Sequence, residues 1–310
     1  MIPVYVINGF LDSGKTEFII YTLGQSYFQT RGTTLLLVCE EGENEYDGKL
    51  LKKSRTVMEV IEEEEDFTSQ NLISLEKKHK PARIIVEYNG MWNVKNMKFP
   101  WHWKMEQQIT MVNGATFSSY FTNMKSLVAE HIRQSELIIM NRCDGMEDKL
   151  AGYKRNIMAL NQNAEIIFEN ASGEMNVTLE EDLPYDLNAD PIILDDLGYG
   201  FWYLDALDNM ERYKGRTIEY TAMVLHPQGF LKGYFVPGRM AMTCCADDMA
   251  FLGYACKYDD AESLEQKAWV KVTAKVQIEY FDDYGKEGPV LHAVKVEAAP
   301  KPKNEVISFV

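Results

Sequence analysis

The residues most able to do chemistry are Gly9-Phe10-Leu11-Asp12-Ser13-Gly14-Lys15-Thr16, a G-x-x-x-x-G-K-T run. Two glycines let a backbone wrap an anion so that N–H groups and a helix N-terminus face phosphate oxygens. In such a loop Gly9, Asp12, Ser13 and Gly14 shape the cradle. Lys15 reaches the β- and γ-phosphates, and the Thr16 hydroxyl ligates Mg²⁺. A glycine-rich turn could match by chance, so context decides. Ile2, Val4, Val6 and Ile7 form a short β-prone run before the loop, and Phe18, Ile19, Thr22 and Leu23 share one helical face after it. Strand, loop and helix therefore agree.

Three further groups fit a nucleotide site once the phosphate loop is granted. The apolar run 33–38 reads as a strand buried on both faces, and it ends in a carboxylate-rich loop, 39–47, that includes Glu40 and Asp47. Such a loop lies where α/β proteins put ligands, though on charge alone it is a solvated acidic loop. The strand 83–86 delivers Glu87-Tyr88-Asn89-Gly90. A carboxylate there can hold Mg²⁺ through water, and the Gly90 N–H can meet a γ-phosphate. After the strand 137–140 stands Asn141-Arg142-Cys143-Asp144. In an N-K-x-D box the Asn ties the base loop to the phosphate loop, the cation stacks on the purine, and the Asp accepts the two donors that guanine has and adenine lacks. Alone, this would be a strand-to-helix turn with Asp near a helix start. Its place late in a phosphate-loop domain favours guanine.

Between these groups, residues 59–80 look largely helical, ending in Lys77-Lys78-His79-Lys80, which suits a helix C-terminus. The run Glu62 to Glu65 reads as a solvated face. Residues 91–103 read as an irregular insert, 109–115 as a strand, 117–134 as a helix, and 147–160 and 165–170 as a last helix and strand. The expected fold is an α/β P-loop domain over residues 1–182, with a mostly parallel sheet and flanking helices. A linker is expected over 183–215, where Pro, Asp, Gly and aromatics mix. From 216 to 300 the period shifts to two, with five short strands at 217–225, 232–236, 251–258, 269–281 and 291–298. That predicts a small antiparallel barrel of OB type or a compact sandwich. Residues 301–310 read as a frayed tail.

The chain has 310 residues, room for about two domains with their own cores. Its formal charge of −15 disfavours nucleic acid and anionic membranes as partners. No apolar run approaches the roughly 20 residues of a membrane span, and the N-terminal run lacks a basic leader, so the chain reads as cytoplasmic. Five cysteines, an odd number, fit reduced thiols or a metal site. Cys244 and Cys245, with Cys256 beyond and His226 and His292 elsewhere, are candidate ligands for Zn²⁺ or another transition metal, or else small buried residues of a β core.

These boxes, in this order, resemble the CobW-like GTPases, P-loop proteins of the SIMIBI class related to nickel-insertion GTPases. The family's G-F-L-G-x-G-K-T is matched by residues 9–16 except at Asp12, and its N-E-F-G-E-x-G-x-D by residues 39–47, retaining Glu40, Gly42, Glu43 and Asp47. Its E-x-x-G is matched by Glu87 and Gly90, and its N-K-x-D by Asn141, Arg142 and Asp144. The resemblance covers about residues 1–175 and implies GTP and GDP binding with Mg²⁺, GTP hydrolysis, and a task as metal chaperone or cofactor-assembly factor. It also implies a metal or client-protein partner and a homodimer such as relatives can form. The family's C-x-C-C would fall near residues 61–67, where this chain has carboxylates. Residues 239–248, with Trp269-Val270-Lys271-Val272, are similar to the β-rich C-terminal domain of a bacterial family found with predicted permeases, in which a paired-Cys-Ala-x-Asp stretch recurs. Two alternatives stand beside GTP hydrolysis: a nucleotide-gated binding module with negligible turnover, and a P-loop kinase using ATP.

Overall fold

Leu35 and Leu37 pack into one core with Val4, Val6 and Leu72, while Leu36 and Val38 pack into another with Ile7, Ile19 and Leu23. Side chains alternate across a strand, so a continuous apolar run is what a strand covered on both faces requires. Truncating Leu36, which is fully buried, to Ala costs about 2–5 kcal/mol. The computed structural model describes residues 1–40, 42, 45–177, 183–242 and 249–307. They form two compact units, 1–150 with 163–177, and 151–162 with 178–310.

In the first unit the strands are β1 (Ile2–Asn8), β2 (Thr34–Val38), β3 (Thr56–Val60), β4 (Arg83–Glu87), β5 (Trp103–Asn113), β6 (Leu137–Asn141), β7 (Glu165–Asn170) and β8 (Gly173–Met175). Their order is β3-β2-β4-β1-β5-β6-β7-β8, parallel throughout except for β8 against β7. The helices are α1 (Lys15–Gly24), α2 (Gly48–Lys53), α3 (Ser69–His79), α4 (Gly114–Asn123), α5 (Lys125–Arg133) and α6 (Glu147–Leu160). The unit boundary falls inside α6. The α/β expectation for this half holds.

Local readings needed correction. Residues 59–80 are not one helical stretch: β3 is an edge strand of alternating burial, and only from Ser69, after the Thr68 cap, does a helix begin. An edge strand exposes one face, and here Met58 and Val60 stand exposed beside the half-buried Glu59, so no polar and apolar alternation marks the strand. The helix expected over 117–134 is two, because Met124 leaves helical geometry at φ −132°, ψ 36°. The strand after the insert starts at Trp103 rather than Ile109.

In the second unit β9 (Ile192–Leu194), α7 (Asp196–Asp208) and α8 (Met210–Tyr213) occupy the stretch read as a linker. β9 pairs in parallel with β10 (Thr217–Leu225), and α7 buries Tyr199, Trp202 and Leu204. Aromatic burial on nearly every side leaves α7 with no clear polar stripe, which hid it. β11 (Tyr234–Met242), β12 (Met249–Gly253), β13 (Cys256–Lys257), β14 (Trp269–Phe281), β15 (Lys286–Ala298) and β16 (Val306–Ile307) complete the β-rich sheet. β16 pairs with β11, so the tail is not wholly frayed. Pairings run β10–β11–β13–β15–β14 and back to β10, a closed ring in which β13 and β15 are parallel. Ile218, Tyr220, Ala222 and Val224 alternate inward along β10, the period of two seen in the sequence. No helix among the described residues is long and apolar enough to cross a membrane.

Candidate functional site

β1 ends at Asn8 and the chain turns at Gly9, where φ is +133° and an added Cβ would stand 2.2 Å from the Met111 carbonyl oxygen. Only glycine fits there. Asp12 adopts φ 59°, Ser13 N–H donates to Phe10 O at 3.2 Å, and Gly14 at φ 93° opens α1. This curled backbone puts Lys15 and Thr16 in the first turn. Lys15 is 4% exposed, and its ammonium donates to Gly9 O at 2.7 Å and Phe10 O at 2.9 Å and pairs with Glu40. Those three acceptors match the three donors of an ammonium group.

Glu87 ends the buried strand β4. Its carboxylate accepts from Thr16 Oγ1 at 2.5 Å and from Tyr46 OH at 2.6 Å. Burial raises its pKa, and the two hydroxyl donors work against that rise. Gly90 lies three residues on, so close to the loop that a Cβ would come 2.2 Å from Gly9 O and 2.7 Å from Phe10 Cα. On the far side, Asn141 Nδ2 donates to Ser13 O at 2.8 Å, Arg142 donates to Asp12 O, and Arg142 also sits 3.4 Å from Glu17 Oε2. Asp144 Oδ1 accepts from Ala171 N–H at 3.1 Å, which fixes the carboxylate against the loop after β7.

An open cleft unites Asp12, Gly14, Lys15, Thr16, Glu40, Glu87 and Arg142 in its lining. Asp47 is not in that lining; its side chain caps α2 by accepting from Lys49 N–H at 2.9 Å. Glu43 lies outside the described residues. Tyr46 and Glu17 were missed as site residues. Tyr46 meets Glu87 from 41 positions away, a pairing no local motif signals.

Thr16 and Glu87 suit Mg²⁺: both donors are oxygen, and a buried carboxylate with a raised pKa gains from a nearby cation. The proposed soft-metal set fares differently. Cys244 and Cys245 lie outside the described residues. Cys256 is fully buried, its register partner on β11 is Phe235, and burial pushes its thiol up. Phe235 stands seven residues before Met242, the last described residue ahead of the cysteine pair, about 23 Å along a strand. His226 Nε2 bonds Leu264 O at 3.0 Å, and His292 pairs with Glu279 at 2.9 Å. Among the described residues no group of three or more potential metal ligands forms. The run Glu62 to Glu65 is largely exposed after β3, as a solvated face should be.

A family model described as CobW/HypB/UreG, nucleotide-binding domain, matches residues 3–168, and one described as DUF1980 C-terminal domain matches residues 170–307. No curated protein sequence matches the chain. Similar solved structures include the Zn(II)-bound YjiA GTPase from E. coli, at 16% identity over 60% of this chain and 63% of that one, TM-score 0.40. The chain thus spans less than two thirds of YjiA. Hydrogenase maturation factor HypB from Archaeoglobus fulgidus matches at 16% identity over 56% of this chain and 82% of that one, TM-score 0.41. HypB from Helicobacter pylori in complex with nickel matches at 13% identity over 55% and 80%, TM-score 0.34.

Proposed function

The chain belongs to the CobW/HypB/UreG nucleotide-binding family over residues 3–168, and from that premise we propose that it binds GTP with Mg²⁺ and hydrolyses it. The observation that carries the reading is the bond from Asn141 to Ser13, which draws the candidate base box onto the phosphate loop. Lys15 and Thr16 then face the phosphates, and Arg142 offers a planar cation to the purine. Asp144 supplies the acceptor pair that selects guanine. Thr16 and Glu87 would hold Mg²⁺, which when bound would offset the negative charge of the phosphates.

Phosphate binding and the Lys15–Glu40 pair compete. All three Lys15 donors are committed, and Glu40 is the one acceptor outside the phosphate loop. An incoming phosphate therefore displaces Glu40 and with it the loop 39–47, which is how nucleotide state reaches the rest of the chain. Water attacks the γ-phosphorus in line as its bond to the β–γ bridging oxygen breaks, giving GDP, inorganic phosphate and a proton, while Lys15 and the loop N–H groups stabilise the developing charge.

The closed strand ring of the second unit supports an OB-like reading, with a client protein or metal as its partner. Cys244 and Cys245 are the candidate soft ligands, and the register of Cys256 argues against its sharing one ion with them. Near-stoichiometric Zn²⁺ by elemental analysis, lost in a Cys244→Ser, Cys245→Ser double variant, is expected. The enzyme reading is tested by phosphate release: magnesium-dependent GTP turnover abolished in Lys15→Ala is expected. Tight GTP binding without phosphate release over hours would instead indicate a nucleotide-gated module.

A further inference from the structure

A small cavity lies between the phosphate loop, the end of β5, α4 and α5. Two buried polar atoms on its lining residues have no partner: Ser13 Oγ and His131 Nε2, each on a residue 2% exposed. Orphaned buried groups are costly, so their presence beside a functional loop asks for a reason.

The His131 ring bonds the Gly90 backbone, and that bond favours the protonated ring. A bond that favours imidazolium is one in which the ring N–H donates, so the Gly90 carbonyl accepts. Because Nε2 has no partner, the donor is Nδ1, and Nε2 carries the lone pair. The ring centroid is 5.0 Å from that of Phe10, which itself stacks on Tyr120 at 4.1 Å. The backbone of His131 is equally fixed. Its carbonyl oxygen lies within reach of four donors, Thr110 Oγ1 at 2.9 Å, Ser135 Oγ at 2.9 Å, Gln108 Nε2 at 3.3 Å and Asn8 Nδ2 at 3.4 Å, which share its two lone pairs. Asn8 belongs to β1, which leads into the phosphate loop, and Thr110 to its neighbour β5. One residue of α5 thus joins those strands to Gly90, at the point where Gly90 rests on Gly9 and Phe10.

We propose that His131 is a positioning residue of the nucleotide site, holding Gly90 against the phosphate loop so that its N–H can distinguish a γ-phosphate from its absence. The proposal rests on the nucleotide-site reading above. It concerns discrimination between GTP and GDP, not binding as such. Burial and the nearby Lys15 charge push the His131 pKa down to about 4, which keeps the ring neutral.

Two variants separate positioning from packing. His131→Phe keeps the ring volume and removes the donor, whereas His131→Asn loses volume and keeps an N–H near the place of Nδ1. Calorimetric titration with GDP and a non-hydrolysable GTP analogue, alongside thermal melts, is the measurement. His131→Phe is expected to weaken the analogue about tenfold while leaving GDP within about twofold, and His131→Asn to keep the discrimination despite a lower melting temperature. His131→Leu replaces the Phe variant if the latter does not fold. Affinities for both nucleotides that fall together with the melting temperature, or an unchanged ratio in the donor-less variant, overturn the proposal. A parent chain that binds neither nucleotide overturns the site reading and this proposal together, while selective guanine binding with an unchanged ratio overturns this proposal only.

Discussion

Lys15 and Asp205 are both buried charges, 4% and 0% exposed, yet their surroundings differ in kind. Around Asp205 the partners come from the next eight residues: Asn209 Nδ2 at 2.8 Å, Arg212 NH1 at 2.6 Å and the Tyr213 hydroxyl, which also bonds Tyr185 OH at 2.6 Å. Such a cluster is local and saturated, and its effect is to hold α7 and α8 together. Lys15 instead adds Glu40 to the carbonyls of its own loop, and Glu87 takes Thr16 and Tyr46 from distant segments; a phosphate or a cation could replace Glu40 and the two hydroxyls. Beside them Ser13 Oγ and Asn141 Oδ1 have no partner. Burial alone therefore does not mark function; exchangeable partners do.

Removing Asp205 should show the largest effect. Asp205→Ala removes the buried carboxylate shared by Asn209, Arg212 and Tyr213 and should cost the second unit about 3–5 kcal/mol in denaturant unfolding. Nucleotide affinity should change less than twofold, and a larger loss would break the contrast.

The next effect is a pH dependence of the first unit. The folded-state pKa of His131 is about 4 against 6.5 for a free histidine. Between those values the unfolded chain binds more protons than the native one, so stability rises with pH across the window and is lost as pH falls from about 6.5 towards 4. The full effect is up to about 3 kcal/mol. Urea unfolding of the parent and His131→Phe at several pH values should show a slope in the first and a flatter profile in the second.

The same contrast explains what could be read from sequence. The phosphate loop was legible because Gly9, Gly14, Lys15 and Thr16 act through one contiguous backbone turn. β2 and β4 were legible because both faces are buried. β3 was not, since its Thr56, Met58 and Val60 alternate with Val57 and Glu59 on an edge, and neither was α7, whose Tyr199, Trp202 and Tyr203 are buried around most of the helix. Tyr46 and His131 were invisible for a further reason. Each acts on a residue 41 positions away, Glu87 and Gly90 respectively, and only tertiary structure creates those pairs.

Smaller effects sharpen the picture within the cleft. Asp144→Ala should reduce the preference for GTP over ATP by about tenfold or more, read by competition binding, because guanine's donor pair is left without its acceptor. Tyr46→Phe should cost about 1 kcal/mol, since one of two hydroxyl donors to the buried Glu87 is lost while Thr16 remains.

The central claim is that the first unit is a guanine-nucleotide site. Calorimetric titration of the Mg²⁺-supplied protein with GDP, a GTP analogue and ATP tests it most directly. Saturable guanine binding, at least about tenfold tighter than ATP and weakened about a hundredfold or more by Lys15→Ala, is the predicted result. Equal binding of GTP and ATP, or no nucleotide binding at all, would contradict it.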